Sequence, residues 1–121
     1  MNYSRLYADR DGESHVEELR ADFDMLAYAP PAPAIGVSRP TDATRYVFVD
    51  FPANWSSERH PTPRRQLFVM LAGHLVGEAS DGTVMDLKPG DVLLMEDTSG
   101  KGHTARTMDG TGVQAMMVHL E

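Results

Sequence analysis

The chain has 121 residues, a formal net charge of −7 and 41% hydrophobic residues, and it contains no cysteine. This length suits one domain with a hydrophobic core, and the acidic balance argues against nucleic acid as a partner, because phosphate contacts need a basic surface. The lack of cysteine excludes disulfides and thiolate zinc sites. No apolar stretch is long enough to cross a membrane and the first residues lack a signal peptide's apolar segment, so we expect a cytoplasmic protein without a membrane partner.

The beginning of the chain predicts an arm rather than a compact unit. The first 29 residues mix charged and apolar side chains, which fits either a short helix or an irregular edge strand. The segment from Ala29 to Pro40, APPAPAIGVSRP, has too many prolines for a helix or a central strand. We therefore expect residues 1–43 to form an N-terminal proline-rich arm that packs on the barrel or on a partner subunit, and hence a homodimer.

From Thr44 onward the pattern changes to short strands and tight turns. Turn signals stand at Ala72-Gly73, at Ser80-Asp81-Gly82 and at Lys88-Pro89-Gly90-Asp91. The predicted strands between them are TRYVFVDF, RQLFVML, HLVGEA, TVMDL, DVLLME, HTART and VQAMMVHL. Short strands with near-regular turn signals predict an all-β sandwich or barrel over residues 44–121, with antiparallel neighbours where the connections are shortest.

The stretch EDTSGKGHTARTMDG, residues 96–110, combines two glycines, a lysine and a histidine. A phosphate-binding loop needs Ser or Thr after Gly-Lys and a helix behind it, whereas Gly102 follows Lys101 and the next residues are strand-like. We therefore reject a phosphate loop. We expect the glycines to shape a turn that leads into a strand beginning near His103, with Lys101 solvated at its tip.

Two segments of the chain carry a family resemblance. The segments HPTPRRQLFVMLAG and DGTVMDLKPGDVLLMEDTSGKGH resemble the first and second motifs of the cupin superfamily, and the resemblance covers roughly residues 44–120. It implies a small cupin-type jelly-roll barrel, also called a double-stranded β-helix, in which two sheets fold against each other. The chain is also similar to a subgroup of small single-domain cupins with PRRQ and EDTxGKGH motifs, which has no established reaction.

The family's metal ligands match only in part. His103 aligns with the histidine of the second motif, and Gln66 stands where the first motif has a glutamate. His60 falls at or beside a family histidine, and a shift of one residue decides whether it faces in or out of a strand. The second histidine position holds Thr62, a poor ligand. The resemblance thus implies a metal site of His60, Gln66 and His103 for zinc, nickel, iron or copper, weakly held or absent because the carboxylate is missing.

A ligand site without metal is predicted from the same strand. Arg64, Gln66 and Phe68 share one parity and should face the barrel interior, where they would bind a small molecule together with His103. A guanidinium in that position needs a partner, so Arg64 should pair with Glu96 or Asp97, hold an anionic ligand, or do both. An inward carboxylate among these two could act as a general base, but we favour Asp97 as a cap of the following turn.

The remaining aromatic and imidazole side chains have plainer interpretations. Trp55 is predicted to cover one end of the barrel or to contact a dimer partner. His74 and His119 lack a partner signature, so we expect them at the surface or in packing. The methionines read as core filler, because methionine adapts to irregular cavities.

Three functions remain open on the sequence. The first is a small-molecule-binding cupin with a degenerate metal site that takes a polar or anionic metabolite. The second is a metal-dependent enzyme, such as an isomerase, lyase or oxygenase acting on a small carboxylate, in which the metal polarises substrate or activates water or oxygen. The third is a non-catalytic structural or regulatory dimer. The fold alone cannot choose, since such barrels host many chemistries.

Overall fold

The computed structural model describes residues 1–121, which form eleven strands and no helix. There is consequently no helix of the length and apolarity that crossing a membrane would require. The strands are β1 (Asn2–Ala8), β2 (Ser14–Arg20), β3 (Asp24–Leu26), β4 (Ile35–Val37), β5 (Arg45–Phe51), β6 (Gln66–Ala72), β7 (Leu75–Ala79), β8 (Val84–Leu87), β9 (Val92–Glu96), β10 (His103–Thr107) and β11 (Val113–His119).

Two sheets enclose the interior. The larger has six strands in the order β2-β1-β9-β6-β11-β5, and the smaller has three in the order β10-β7-β8. Neighbours within both sheets are antiparallel, except that β1 runs parallel to β9. Strands β3 and β4 form a separate two-stranded hairpin. The all-β, double-sheeted barrel predicted from the sequence is therefore confirmed.

Alternation along the strands decides which side chains face inward. In β6, Gln66, Phe68 and Met70 are buried, while the residues between them are half-buried. Strands buried on one face show this period of two, because successive side chains point to opposite sides. The core between the sheets consists of Leu6, Phe68, Met70, Leu75, Ala79, Met85, Leu87, Leu93, Met95, Val113 and Ala115.

The predicted turn at Ala72-Gly73 carries the chain from one sheet to the other. Strand β6 belongs to the larger sheet and β7 to the smaller one, so the two are not a hairpin. Gly73 has φ +85°, and a Cβ there would lie 2.4 Å from the carbonyl oxygen of Gly112. Only glycine satisfies both the backbone angle and the close approach.

The first twenty residues correct the predicted arm. Strand β1 lies inside the larger sheet, paired with β2 on one side and β9 on the other, and Leu6 is fully buried. The boundary predicted at residue 44 is therefore wrong for residues 2–20. Only one large apolar side chain of β1 is buried, and the charged residues around it hide the period-two pattern that a core strand usually shows.

The proline-rich part of the predicted arm does lie outside the barrel. Together with the residues just before it, it forms the short hairpin β3–β4, and the large apolar side chains there are exposed, from 48% at Leu26 to 69% at Tyr28. Eight of the eleven exposed large hydrophobic side chains fall between Phe23 and Phe48. This exposed apolar surface continues onto β5, the edge strand of the larger sheet.

The loop with Gly100, Lys101 and Gly102 is fastened to the turn between β1 and β2. The backbone N–H of Lys101 donates to the carbonyl of Gly12 at 2.8 Å, and its Nζ lies 2.7 Å from a carboxylate oxygen of Glu13. The Lys101 side chain is 55% exposed, as the prediction of a solvated residue requires, and it also forms an ion pair at the surface. Its partners are nearly ninety residues away in the chain, so local sequence gave no sign of them.

Candidate functional site

A cavity of about 380 Å³ lies between the two sheets and opens at one end of the barrel. This volume falls within the usual range for small-molecule sites. Eighteen residues line it: Phe51, Trp55, His60, Thr62, Pro63, Arg64, Gln66, Phe68, Leu75, Gly77, Met85, Leu87, Leu93, Met95, His103, Ala105, Met117 and His119. Ten of these are hydrophobic, so the wall is mainly apolar, with a few polar groups.

Strand register places the polar side chains of the larger sheet at one end. Gln66 pairs with Met95 on one side and with His119 on the other. The next inward position along β6 is Phe68, whose partners are Leu93 and Met117. On this wall of the cavity, the strand position of Gln66 and His119 is therefore polar, and the next inward position is entirely apolar.

His103 enters the cavity from the smaller sheet and is held by a buried carboxylate. Its Nδ1 lies 2.6 Å from Oδ2 of Asp97, and the hydroxyl of Thr62 donates to Oδ1 of Asp97 at 2.6 Å. Asp97 is completely buried, and His103 and Thr62 are 5% and 1% exposed. A carboxylate on one ring nitrogen fixes the orientation of an imidazole and leaves the other nitrogen free to act. The interpretation of Asp97 as a turn cap is therefore wrong.

His60 stands beside His103, which settles its register. The two residues exchange backbone hydrogen bonds of 3.0 and 2.9 Å across an isolated antiparallel bridge. Their ring centroids are 4.8 Å apart, and both rings line the cavity. Nδ1 of His60 donates to the carbonyl oxygen of Glu58 at 2.8 Å. The imidazole nitrogen that remains without a partner in the chain is Nε2.

Arg64 lies at the exposed rim of the cavity and forms no ion pair. The expected pairing with Glu96 or Asp97 is wrong. Glu96 instead contacts Arg5, at 2.5 Å, and Arg65 on the outer side of the sheet. Burial raises the pKa of Glu96, but the hydrogen bonds from the two guanidinium groups outweigh it, so the net pKa lies below its ordinary value. The Arg64 guanidinium therefore remains available to a ligand.

His119 is a cavity residue that the sequence interpretation assigned to the surface or to packing. It lines the cavity, and its Nδ1 is buried without a hydrogen-bond partner. Along β11 the inward positions are Val113, Ala115, Met117 and His119, a parity series that could have located it. His74, by contrast, lies outside the cavity and pairs with Asp86.

Trp55 also lines the cavity, next to Phe51. The two ring centroids lie 4.8 Å apart in an edge-to-face arrangement. The backbone of Trp55 is tied to Thr107 by hydrogen bonds of 2.9 and 3.0 Å. Trp55 therefore forms part of the cavity wall within a single chain.

The resemblance implies a metal site of His60, Gln66 and His103. These side chains supply two imidazoles but no carboxylate. The two imidazoles are close together, but no group of three or more His, Cys, Asp or Glu side chains converges in the chain. Asp97, the only buried carboxylate nearby, is engaged by His103 and Thr62. The amide nitrogen of Gln66 is directed at the sulfur of Met95, 3.9 Å away. Two imidazoles and a neutral amide would hold a divalent ion weakly.

No family model matches the chain, and neither does any curated protein. Similar solved structures include a cupin domain of Cnp3 from Schizosaccharomyces pombe, with 14% identity and a TM-score of 0.48 over 100% of this chain and 83% of that one. Another is described as ethanolamine utilization protein Q from Salmonella typhimurium LT2, with 17% identity and a TM-score of 0.47 over 99% of this chain and 95% of that one.

A third similar structure is protein NMB1881 from Neisseria meningitidis, with 14% identity and a TM-score of 0.46 over 63% of this chain and 72% of that one. One of the three is thus itself a cupin domain, the class of protein that the sequence motifs resemble. At these identities and TM-scores, no ligand, partner or residue role is carried over to this chain. The assignment to an all-β barrel rests on its own strand pairing.

Proposed function

We propose that this protein binds a small anionic molecule, a carboxylate, in the cavity between its two sheets. The observation that carries the proposal is Arg64, an unpaired guanidinium at the rim of a largely apolar cavity. A guanidinium recognises a carboxylate through two parallel hydrogen bonds, a geometry that few other side chains offer.

Three imidazoles support the same site. His60, His103 and His119 all line the cavity with Gln66, and each imidazole has a ring nitrogen without a partner in the chain. Because Nδ1 of His60 and of His103 donates within the chain, their free Nε2 atoms are acceptors while the rings are neutral and would bind a ligand hydroxyl. These two rings would donate to a carboxylate only as imidazolium, whereas Arg64 and the Gln66 amide can donate to it directly. The Asp97 carboxylate would keep the His103 ring in one orientation before ligand binding.

The test compares carboxylates with their neutral amides. Acetate, succinate, benzoate and hexanoate are titrated by calorimetry and by thermal denaturation, each beside its amide. The expected result is that at least one acid raises the melting temperature and binds at least tenfold more tightly than its amide. Arg64→Gln should remove most of that difference. Arg59→Gln is the matched control, since Arg59 is an exposed arginine of the same loop that does not line the cavity.

The proposal fails if no acid binds better than its amide. It also fails if Arg59→Gln weakens binding as much as Arg64→Gln, because the effect would then come from overall charge. The variants should keep the wild-type melting temperature without ligand, as both arginines are exposed and unpaired.

A metal-dependent enzyme remains the second candidate, supported by the 4.8 Å separation of the His60 and His103 rings. Elemental analysis of untagged protein, followed by titration with zinc and nickel, would test it. The candidate requires near-stoichiometric metal that is lost in both His60→Ala and His103→Ala but kept in His74→Ala, whose imidazole lies outside the cavity. Metal retained by the double variant would contradict it.

We also propose that the protein forms a homodimer through the exposed apolar surface of the β3–β4 hairpin and β5. Two strands of three residues each are too short to be stable alone, so this hairpin requires a covering surface. Strand β5 is a sheet edge that exposes Tyr46 at 65% and Phe48 at 70%. Because both apolar surfaces occur on one chain, two copies related by a twofold axis could cover each other.

Light scattering across micromolar concentrations should give twice the mass of one chain. Phe48→Ser with Met25→Ser should shift the mass toward that of a monomer, whereas Val84→Ser, an exposed apolar residue elsewhere, should not. A monomer for the wild-type protein would contradict the proposal and with it the structural or regulatory dimer considered as a third function.

A further inference from the structure

We infer that the ligand is amphipathic: a carboxylic acid with a single charged group and an apolar body, such as an alkyl or aryl monocarboxylate. The inference rests on the proposed function and narrows its ligand class. It depends on how polar and apolar side chains are distributed along the cavity, and it replaces the broader expectation of a polar metabolite.

The polar side chains of the cavity gather at its open end. Arg64 lies at the rim, Gln66 follows two residues later, and His119 is the strand partner of Gln66. On the opposite sheet His103 is the first residue of β10, and His60 is bridged to it. An acid group would therefore meet its partners at this end.

Deeper positions offer no comparable partners. Along the smaller sheet His103 is followed at inward positions by Ala105, whose partner is Gly77, and Gly77 in turn pairs with Met85. The last row contains Leu75, which pairs with Leu87. On the larger sheet Phe68, Leu93 and Met117 form the corresponding apolar row.

The one hydroxyl beyond these rows is already used. Thr107, the strand partner of Leu75, accepts a hydrogen bond from the backbone of Trp55, and its oxygen also lies 3.3 Å from the carbonyl of Pro52. Apart from the indole N–H of Trp55, no polar side chain of the lining is present there to pair with a second charge or a hydroxyl-rich ligand body, and burying such groups unpaired is costly. An apolar body would instead gain from each carbon removed from water.

The experiment measures binding of two acid series of equal chain length. Butyrate, hexanoate and octanoate form the first series, and succinate, adipate and suberate, which carry a second carboxylate at the far end, form the other. Affinity in the first series should rise about three- to fourfold per added methylene until the cavity is filled. Each diacid should bind at least tenfold more weakly than the monoacid of its length.

A pair of variants locates the apolar body. Ala105→Leu fills part of the cavity at a half-buried position and should shift the best-binding monoacid to a shorter chain. Thr104→Leu is the matched control, because Thr104 is also half-buried on the same strand but does not line the cavity. It should leave the preferred chain length unchanged. If Ala105→Leu fails to fold, the wild-type series decides by itself.

The outcomes separate this inference from the function on which it rests. Affinity that is flat with chain length, or diacids that bind as tightly as monoacids, overturns the amphipathic ligand but leaves a carboxylate site. The absence of binding by every acid in both series overturns both. An unchanged chain-length preference in a folded Ala105→Leu variant also overturns the inference.

Discussion

Asp97 and His103 form a buried pair in which the carboxylate Oδ2 lies 2.6 Å from the imidazole Nδ1. Because the other carboxylate oxygen accepts from Thr62, both oxygens of Asp97 are satisfied by groups that cannot move away to solvent. The pair therefore fixes the imidazole as a donor through Nδ1 and leaves Nε2 as the acceptor when the ring is neutral. The same buried hydrogen bonds stabilise the barrel and orient the His103 ring in the cavity.

Asp97→Asn should lower the free energy of unfolding by about 2–4 kcal/mol, because it removes one partner from a buried, hydrogen-bonded pair. Urea denaturation at pH 7 measures the change. Asp86→Asn, which affects an exposed carboxylate paired with His74, should cost much less, because surface ion pairs contribute little. Equal effects of the two substitutions would contradict the role assigned to Asp97.

Gly102→Ala should be among the most damaging small substitutions in the chain. Gly102 has φ +72°, and a Cβ there would lie 2.1 Å from both the carbonyl carbon and the oxygen of His60. We expect a loss of about 3 kcal/mol or more, the sum of a left-handed backbone and a steric clash. Gly90→Ala, with φ +94° and no atom within 4 Å, should lose only about 1–2 kcal/mol. A smaller loss for Gly102→Ala than for Gly90→Ala in urea denaturation would refute this account.

His15 should contribute stability at acid pH. Its Nε2 lies 2.7 Å from Asp9 and its Nδ1 lies 2.9 Å from Asp81, and hydrogen bonds to these carboxylates raise the pKa of His15. A pKa raised on folding stabilises the folded state below the unfolded value of about 6.5, and this stabilisation is lost as pH rises through the folded pKa. The stability difference between wild type and His15→Gln should therefore be large at pH 5 and shrink by pH 9. A difference constant over that range would contradict the ion pairs.

Glu96→Gln should have the opposite pH dependence. Its carboxylate binds Arg5 and Arg65, and its pKa is lowered, so the stabilisation is present above the unfolded pKa and lost as pH falls through the folded value. We expect a loss of up to about 1 kcal/mol at pH 7 that disappears near pH 3. Glu78→Gln, at an exposed carboxylate without an ion pair, should be neutral at both pH values. The prediction fails if thermal denaturation gives both variants the same profile.

Much of the barrel could be predicted because its signals are local. The turn glycines and the β-branched runs after Thr44 each act over a few residues, and all seven strands expected there are present. Strand β1 was not predicted, because its place in the sheet depends on pairing with β9, which lies far along the chain. A single buried leucine among charged residues does not reveal such a pairing.

In the candidate site, too, local patterns could be predicted, whereas contacts between distant residues could not. Parity along β6 predicted that Arg64, Gln66 and Phe68 share one face, and all three line the cavity, although their role in binding stays a prediction. The sequence favoured a turn cap over a general base for Asp97, which is wrong, because its contact with His103 depends on where the loop before β10 places it. Parity along β11 was sufficient to predict an inward-facing His119, but its position opposite Gln66 requires the register between β6 and β11.

The parallel pairing of β1 with β9 has a consequence for how the chain is made. Strand β1 leaves the ribosome well before β9, its neighbour in the sheet, which is synthesised nearly ninety residues later. Until then β1 and β2 can form only an isolated hairpin, which is marginal in water, and closing so long a loop carries an entropic cost. Leu6 should therefore be among the last core residues to be covered, and unfinished chains would expose it to chaperones.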